Sequence, residues 1–433
     1  MWDSRRCSLL AFALRTLTFF PTVFSALLAA ILFAAMAPAQ NVAVSSSQKA
    51  ALPKIRTITA FVRLDRASYL DQVAQALKML RAGRQEFAAA GYEVETIRIT
   101  TQPFPEIVRG MSGQDALRFF LELDKLAQHE DFTPDIGPAM TSDDDDPAQA
   151  ELLAQIIAHT SNIDGFITVA DESGIHWNGV RAAARTIKYL EDNTTHGEGN
   201  FRFAAGAFPP ANAPFYPVSS TSTGHGFAIG IESAGIVEKA FSGARGQMAD
   251  AGERLTSELG VQAKNVEEIA QRVAKTSGWN YYGIDLTPVP LKDVSIGSAI
   301  ESLLQAPLGS PGTLAVAYTI TIALRRIPVK QTGYSGLMLP VLEDSALARR
   351  WEARTVNRDA LLAYSAVCSA GLDAIPLPGD ISQRDLEKII ADVASLAVKW
   401  KKPLSARLLP APGKHVGDTT EFSSPYLVNI RVR

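Results

Sequence analysis

The sequence predicts an α/β fold in which strands alternate with helices along one large domain. Short β-branched or aromatic runs alternate with segments whose apolar residues recur at helical spacing. Several of the strand-like runs are almost wholly apolar, which is typical of strands covered by helices. No low-complexity segment divides the chain after residue 53. We therefore expect residues 54–433 to form a single α/β domain.

The first half begins with a strand at residues 55–64, because IRTITAFVRL is β-branched and aromatic. A helix follows, capped by Asp65 or Ser68, with apolar residues at helical spacing and Gly91 at its end. By the same criteria, further strands are predicted at residues 93–100, 165–170, 201–208 and 226–233. Further helices are predicted near residues 113–128, 148–159 and 178–191, and from 234 to about 276.

The second half repeats this alternation. Strands are predicted at residues 281–286 and 404–410. Helices are predicted at residues 295–304, 312–325, 358–366 and 382–399.

The first 39 residues have the pattern of a signal peptide. Three arginines precede an apolar run from Val23 to Met36, and Ala37-Pro38-Ala39 offers a cleavage site before Gln40. We expect a signal peptide at residues 1–39, a linker at 40–53 and an exported, periplasmic or secreted protein. The alternative is an uncleaved N-terminal membrane anchor, since the apolar stretch is just long enough to cross a bilayer.

Composition narrows the classes of partner. The net charge of −3 becomes −5 once three arginines and one aspartate leave with the leader, and no basic tract remains, so nucleic acid is not expected as a partner. No membrane contact is expected beyond the leader. Cys7 lies in the leader, so Cys368 alone cannot form an internal disulfide, and stability must come from a core that 47% apolar residues can build.

Cys368 and Asp373 form the first candidate stretch. Cys368 follows a predicted helix, whose C-terminus favours a thiol over a thiolate, so a packed, inert cysteine competes with a nucleophile. Asp373, five residues later, is the better candidate of the two.

A second stretch, VADESGIHWNG, places Asp171 and His176 directly after a predicted strand, where ligands of α/β sheets gather. These side chains would either bind a ligand or exchange protons, or simply cap the next helix. The glycine-rich stretch STSTGHGFAIGIES adds His225 and Glu232, as an anion cradle or a plain turn. SDDDDP does not fit a calcium loop, and no metal site is predicted from the scattered histidines.

Eight collinear stretches resemble the uncharacterised domain-of-unknown-function 711 family. They include FRFAAGAFPPANAPFYPVS at residues 201–219, GHGFAIGIESAG at 224–235, TGYSGLMLPVLED at 332–344 and ARLLPAPGKHVGDTTEF at 406–422. The others are RTIT at 56–59, YGIDLTPVP at 282–290, GTLAVAYTITIALR at 312–325 and YSAVCSAGLDAIPLPGD at 364–380. Where members carry a glycine-rich stretch near the C-terminus, this chain has SSPYL at 423–427.

The resemblance implies a barrel of about ten strands with surrounding helices, similar to pyruvate formate-lyase, and it implies no activity. KQTGYSG at residues 330–336 is superficially similar to a glycyl radical loop, with Cys368 as the thiyl partner. We reject glycyl radical chemistry because Lys330 replaces the arginine of that signature and the glycine precedes the cysteine, the reverse of the order in glycyl radical enzymes.

We therefore expect an internal polar pocket that binds or acts on a small anionic metabolite. The candidate catalytic residues are His225, Glu232, Asp285, Cys368 and Asp373, with Glu232 or His225 as the base and Asp373 orienting a partner. The candidate ligand-binding residues are Arg407, Lys414, Asp171 and His176, the first two as cations for a carboxylate or phosphate. The alternative is a non-catalytic binding or structural module of the cell envelope. Cofactors and a homo-oligomeric state stay open.

Overall fold

A ten-stranded mixed sheet organises the protein in the computed structural model, which describes residues 52–244 and 246–433. The predicted leader and almost all of the predicted linker lie outside these residues. The strands are β1 (Lys54–Val62), β2 (Val94–Thr101), β3 (Thr133–Pro138), β4 (Asp164–Asp171), β5 (Gly174–Ile175), β6 (Phe203–Ala207), β7 (Gly226–Glu232), β8 (Asn280–Asp285), β9 (Gly371–Pro378) and β10 (Leu404–Ala411).

The strands lie in the order β8-β7-β1-β2-β3-β4-β6-β10-β9, and the short β5 pairs with β4. Most neighbours are parallel, whereas β1 with β7, β6 with β10 and β4 with β5 are antiparallel. Helical crossovers connect most of the parallel strands, as strand–helix alternation predicts. The predicted mixed α/β class is therefore confirmed.

Thirteen helical segments surround or follow the strands in the described part of the chain. They are α1 (Tyr69–Ala89), α2 (Phe104–Ile107), α3 (Gly113–Glu130), α4 (Ala148–His159), α5 (Trp177–Asn193), a 3₁₀ segment (Thr195–Arg202), α6 (Ala234–Ala244), α7 (Met248–Ser277), α8 (Ile296–Leu304), α9 (Thr313–Arg325), α10 (Ser345–Glu352), α11 (Arg358–Ser365) and α12 (Gln383–Trp400). The amphipathic helix α1 buries Val73, Leu80 and Phe87 against the sheet, which is the face that its spacing predicts.

Most elements lie within a few residues of their predicted bounds, and the differences have local causes. The single helix expected from residue 234 to about 276 is two helices, because Gly246 adopts a φ of 83° that ends a helix. The strands β3 and β9 were not predicted, and both contain prolines, which strands tolerate at sheet edges and bulges. β9 is an outer strand, and the register of β3 with β4 shifts beside Pro138.

The two faces of the sheet differ in chemistry. On one face of the sheet, here called the outer face, helices and strand side chains share one large apolar core. On the other face, here called the inner face, a separate small cluster joins Phe166, Ala204, Val218 and Tyr334. Val218 belongs to the loop 208–223 and Tyr334 to the segment 330–342. These two chain segments therefore cover the inner face of the sheet, where polar residues alternate with the apolar residues of the large core.

The segment 330–342 contacts both outer strands of the sheet. The Ile284 amide of β8 donates to the carbonyl of Lys330 at 2.8 Å, and the Val341 amide donates to the carbonyl of Asp373 in β9 at 3.0 Å. One stretch of chain thus links the two ends of the strand order. Within the described residues, no helix is both long and apolar enough to cross a membrane.

Candidate functional site

A cavity of about 610 Å³ lies on the inner face, beside the amino-terminal ends of the parallel strands. Four arginines and several carboxylates contribute to its wall. The charged or phenolic lining residues are Arg56, Arg98, Asp164, Glu198, Arg202, Tyr216, Glu343, Arg407 and Tyr426. This volume is sufficient for a small metabolite.

Strand geometry explains why a half-buried arginine of β2 reaches this cavity. Ile97 and Ile99 are buried in the outer core, and successive side chains of a strand point to opposite faces. Arg98, which lies between them in β2, therefore points inward and lines the cavity.

Arg407 is fixed by two buried carboxylates. Its Nε donates to Asp373 Oδ1 at 2.6 Å, one of its Nη groups donates to Glu343 Oε1, and its guanidinium lies 4.7 Å from the Phe201 ring centroid. Burial would lower the pKa of Arg407, but both carboxylates outweigh it and raise that pKa, so the guanidinium stays charged. Burial raises the pKa of Glu343, although Arg407 opposes this. Two residues singled out from the sequence, Arg407 and Asp373, are thus in direct contact.

Arg56 has a carboxylate of its own. Its Nη1 donates to Glu95 Oε2 at 2.7 Å, and its guanidinium lies 5.3 Å from the Tyr426 ring centroid. Glu232, at the end of β7, is close to this pair; burial and the negative charge of Glu95 raise the pKa of Glu232 to about 7. Its Oε2 atom is buried and has no hydrogen-bond partner in the described residues. Glu232 therefore lies beside Arg56, one of the four arginines of the cavity wall, but does not itself line the cavity.

Arg98 has no carboxylate partner in the described residues. Its Nε donates to Thr96 Oγ1 at 3.2 Å, and its guanidinium stacks 4.6 Å from the Tyr216 ring centroid. It forms no ion pair with any residue that the structure describes, and burial together with Arg56 lowers the pKa of Arg98. By contrast, Arg202 donates to the carbonyl of Ile157 in the last turn of α4 at 2.7 Å and to the carbonyl of Thr160 just after α4 at 2.9 Å.

Asp164 is the second unpartnered group of the cavity. It begins β4, it is 8% exposed, and no described residue donates a hydrogen bond to its carboxylate. Burial raises the pKa of Asp164 to about 7, although Arg202, Arg98 and Arg407 oppose this. Because this value is close to neutral pH, the carboxylate holds its proton loosely under physiological conditions.

Tyr216 and the chain terminus complete the wall. The Tyr216 hydroxyl donates to the carbonyl of Thr133 at 3.3 Å and accepts a bond from Thr100 Oγ1 at 3.1 Å. Burial and the nearby Asp135 hold the pKa of Tyr216 well above its usual range, so the phenol is neutral. Ser424 and Tyr426, from the SSPYL stretch, also line the cavity.

Two predicted catalytic residues are buried away from the cavity. Asp285 accepts bonds from the amides of Tyr334 and Ser335 at 2.8 and 3.0 Å and from the Thr287 hydroxyl at 2.6 Å. It therefore holds the segment 330–342 in place. Cys368 is 2% exposed, and burial raises the pKa of its thiol, so it is protonated and does not line the cavity.

Two other predicted residues, His225 and Lys414, lie outside the cavity as well. The imidazole of the exposed His225 stacks on Trp279 with ring centroids 4.6 Å apart. Lys414 pairs with Glu421 at 2.6 Å. Neither contacts Arg56, Arg98, Arg202 or Arg407, the four arginines of the cavity wall.

Asp171 and His176 meet each other at the opposite, carboxyl-terminal ends of the strands. Asp171 Oδ1 lies 3.1 Å from His176 Nε2, and the Ser173 hydroxyl donates to the same carboxylate oxygen at 2.6 Å. The serine also approaches Nε2, at 3.3 Å, so one ring nitrogen serves both neighbours and no serine–histidine–aspartate relay exists. Asp171 lines a groove of about 500 Å³ there, and His176 is buried beneath the turn.

Arg98, Asp164 and Arg56 were not singled out from the sequence. Arg56 and Arg98 lie in stretches predicted as strands, and Asp164 directly precedes one; at least one neighbour of each is apolar and buried in the outer core. A charged residue alternating with buried apolar residues is the signal that indicates an inward-facing group. Asp135 had no such signal, because its proline-containing strand was not predicted.

Comparison with known proteins identifies the family to which this chain belongs. The model of the family described as "Uncharacterised ACR (DUF711)" matches residues 48–423. Curated relatives are named UPF0210 proteins: one from Pyrobaculum arsenaticum is 27% identical over 383 residues, covering 84% of this chain and 83% of the relative. Another from Carboxydothermus hydrogenoformans is 27% identical over 354 residues, covering 77% of each, and one from Pyrobaculum aerophilum is 32% identical over 296 residues, covering 65% of this chain and 64% of the relative. The chain belongs to the DUF711 family.

Proposed function

We propose that this DUF711 family member binds a small organic anion in its internal cavity, with Arg98 as the anchoring cation. One observation supports this proposal most directly: Arg98 lies on the cavity wall and forms no ion pair in the described part of the chain. A guanidinium removed from bulk water is costly unless a negative group accompanies it. A ligand carboxylate or phosphate would accept bonds from its two Nη groups in the bidentate geometry that arginine favours.

The other cavity arginines support this assignment by elimination. Arg56 and Arg407 are neutralised by protein carboxylates, and Arg202 is held by backbone carbonyls. They contribute positive potential without offering a vacant bidentate site. Arg98 is therefore the position at which a ligand anion gains most.

The proposal includes a closed chamber similar to the pyruvate formate-lyase barrel. A barrel removes open strand edges and encloses its inner face. The hydrogen bonds from segment 330–342 to both outer strands support such closure, and so does the small apolar cluster between the inner face and its covering loops. We further propose, from the leader pattern alone, that the protein is exported.

A purely structural envelope module is the competing function. Dispersed polar residues would favour it, and His225 and Lys414 are indeed separate from the cavity. By contrast, Asp373 and Glu343 both contact the buried guanidinium of Arg407 on the cavity wall, and this gathering of charged side chains favours a binding site.

Titration calorimetry tests the proposal. Native mass spectrometry of the purified protein first asks for a retained molecule, seen as extra mass. Inorganic phosphate, pyruvate, 2-oxoglutarate and succinate are then titrated into the wild type and Arg98→Gln. Loss of a charged hydrogen bond of about 1.5–3 kcal/mol predicts roughly 10- to 150-fold weaker binding in the variant.

The matched control is Arg118→Gln, since Arg118 is an exposed arginine on α3. It should bind as the wild type does. Equal affinity in Arg98→Gln and the wild type would remove Arg98 as the anchor, and no binding of any of the four anions would overturn the proposed function.

A further inference from the structure

Two buried carboxyl groups lie side by side on the inner face. Asp135 of β3 and Asp164 of β4 are register partners on neighbouring parallel strands. Side chains at paired positions point to the same face of a sheet. The two carboxyl groups are therefore neighbours, with Asp164 on the cavity wall.

Each member of the pair keeps an oxygen without a protein partner. Asp135 is fully buried; its Oδ1 accepts a bond from the Gly137 amide at 2.8 Å, whereas its Oδ2 has no partner in the described residues. Asp164 accepts no hydrogen bond from any of those residues. Buried polar atoms are normally satisfied, so Asp135 Oδ2 indicates a proton shared with the neighbouring Asp164, whose carboxylate is open to the cavity.

The charges around the pair set its protonation. Burial, followed by the charge of Asp164, holds the pKa of Asp135 well above its usual range, so Asp135 is neutral. The guanidinium groups of Arg202, Arg98 and Arg407 all act on Asp164. The pair therefore combines a neutral acid, Asp135, which does not line the cavity, with Asp164 on the cavity wall, whose carboxyl group exchanges its proton readily and lies within reach of three positive charges.

We propose that Asp164 is a catalytic acid–base residue that moves a proton to and from the carbon beside the carbonyl group of a bound 2-oxo acid. This inference rests on the proposed function, because Arg98 holds the acid's carboxylate. Asp135 is a positioning residue that acts through Asp164. No hydroxyl or thiol of the described residues is bonded to Asp164, so its proton exchanges with the bound molecule and not with a protein nucleophile.

The proposed proton transfer needs no co-reactant. The Asp164 carboxylate takes a proton from the carbon next to the carbonyl, and the C–H electron pair forms a C=C bond while the carbonyl π pair moves onto oxygen. Arg98 and Arg202 supply positive charge for the enolate oxygen. Asp164 exchanges the proton it has taken with solvent and returns a proton to carbon, while the electron pair on oxygen restores the carbonyl.

Deuterium exchange tests this step directly. Pyruvate and 2-oxoglutarate are incubated with the protein in D₂O, and loss of the C3 proton signals is followed by ¹H NMR. We expect the wild type to exchange these protons faster than buffer alone, with a rate that rises with pH through about 7, because the ionised Asp164 is the base.

Three variants separate catalysis from binding. Asp164→Asn should lower the exchange rate at least 100-fold while calorimetry still detects pyruvate binding. Asp135→Ala should move the midpoint of the pH–rate profile upward, because the neutral Asp135 can donate a hydrogen bond to the ionised Asp164 and alanine cannot; a merely structural role would leave that midpoint unchanged. Asp392→Asn, at an exposed position of α12, should exchange as the wild type does.

The outcomes distinguish this inference from the proposed function. Binding of a 2-oxo acid without exchange in the wild type overturns the catalytic role and leaves the anion site intact. Wild-type exchange rates in Asp164→Asn also overturn it. Absence of binding by every anion overturns both.

Discussion

The buried Asp164 makes a prediction about stability that needs no ligand. Its pKa is about 7 in the folded protein and 3.8 in its ordinary state. The folded state therefore holds this proton more tightly than the unfolded state does. The stability that this group contributes is present below pH 4 and is lost as pH rises towards and through 7.

The size of the loss follows from the two pKa values. At 1.36 kcal/mol per pH unit, the interval from 3.8 to about 7 corresponds to roughly 4 kcal/mol, which is an upper value for a cavity that holds water. Asp164→Asn cannot ionise. Its free energy of unfolding should exceed that of the wild type by an amount that grows with pH and then levels off above about pH 8.

The assay is urea unfolding of both proteins at intervals between pH 4 and pH 9, in a buffer without carboxylate or phosphate. The difference between the two unfolding free energies is plotted against pH, which cancels every other titrating group to first order. Asp392→Asn serves as the exposed control and should give a flat difference. Parallel curves for Asp164→Asn and the wild type would refute the burial argument for this carboxyl group.

Three further predictions concern the scaffold around the cavity. Arg407→Met leaves two buried carboxylates unpaired, so urea unfolding should show a loss of about 3–5 kcal/mol at pH 7; the loss should shrink as the pH is lowered, because burial raises the pKa of Glu343, and a loss that does not change with pH would contradict the ion-pair account. Gly333→Ala places a Cβ about 2.1 Å from Asp285 Oδ2 at a φ of 64°, so its melting temperature should fall, whereas Gly113→Ala, with open space, is the control. The buried Cys368 thiol should react with a maleimide only as the protein unfolds, and rapid labelling of the native protein would contradict its burial.

Local patterns in the sequence were sufficient to predict the fold class and most helices. The helix Ala148–His159 has its predicted bounds, because its apolar spacing is a local property of the chain. The strands β3 and β9 were missed because proline disfavours a strand unless the tertiary context supplies an edge or a bulge. That context is not a property of the stretch itself.

The candidate site was predictable only in part, for the same reason. Arg407 and Asp373 were singled out by residue type, and their contact depends on the parallel pairing of β9 with β10. Arg98 and Asp164 lie 66 positions apart in the sequence. Only the order of β2, β3 and β4 brings both onto the wall of one cavity.

The position of the charges in the sheet explains why one fold holds both a rigid ion-pair network and two unpartnered groups. Arg407 is held from both sides by Asp373 and Glu343, so its geometry is fixed before any ligand enters. Arg98 and Asp164 have opposite charges when Asp164 is ionised, yet no direct ion pair joins them, and a molecule between them would satisfy both. Such a molecule needs an anionic end for Arg98 and a proton to exchange with Asp164, and a 2-oxo acid has both within a few ångströms.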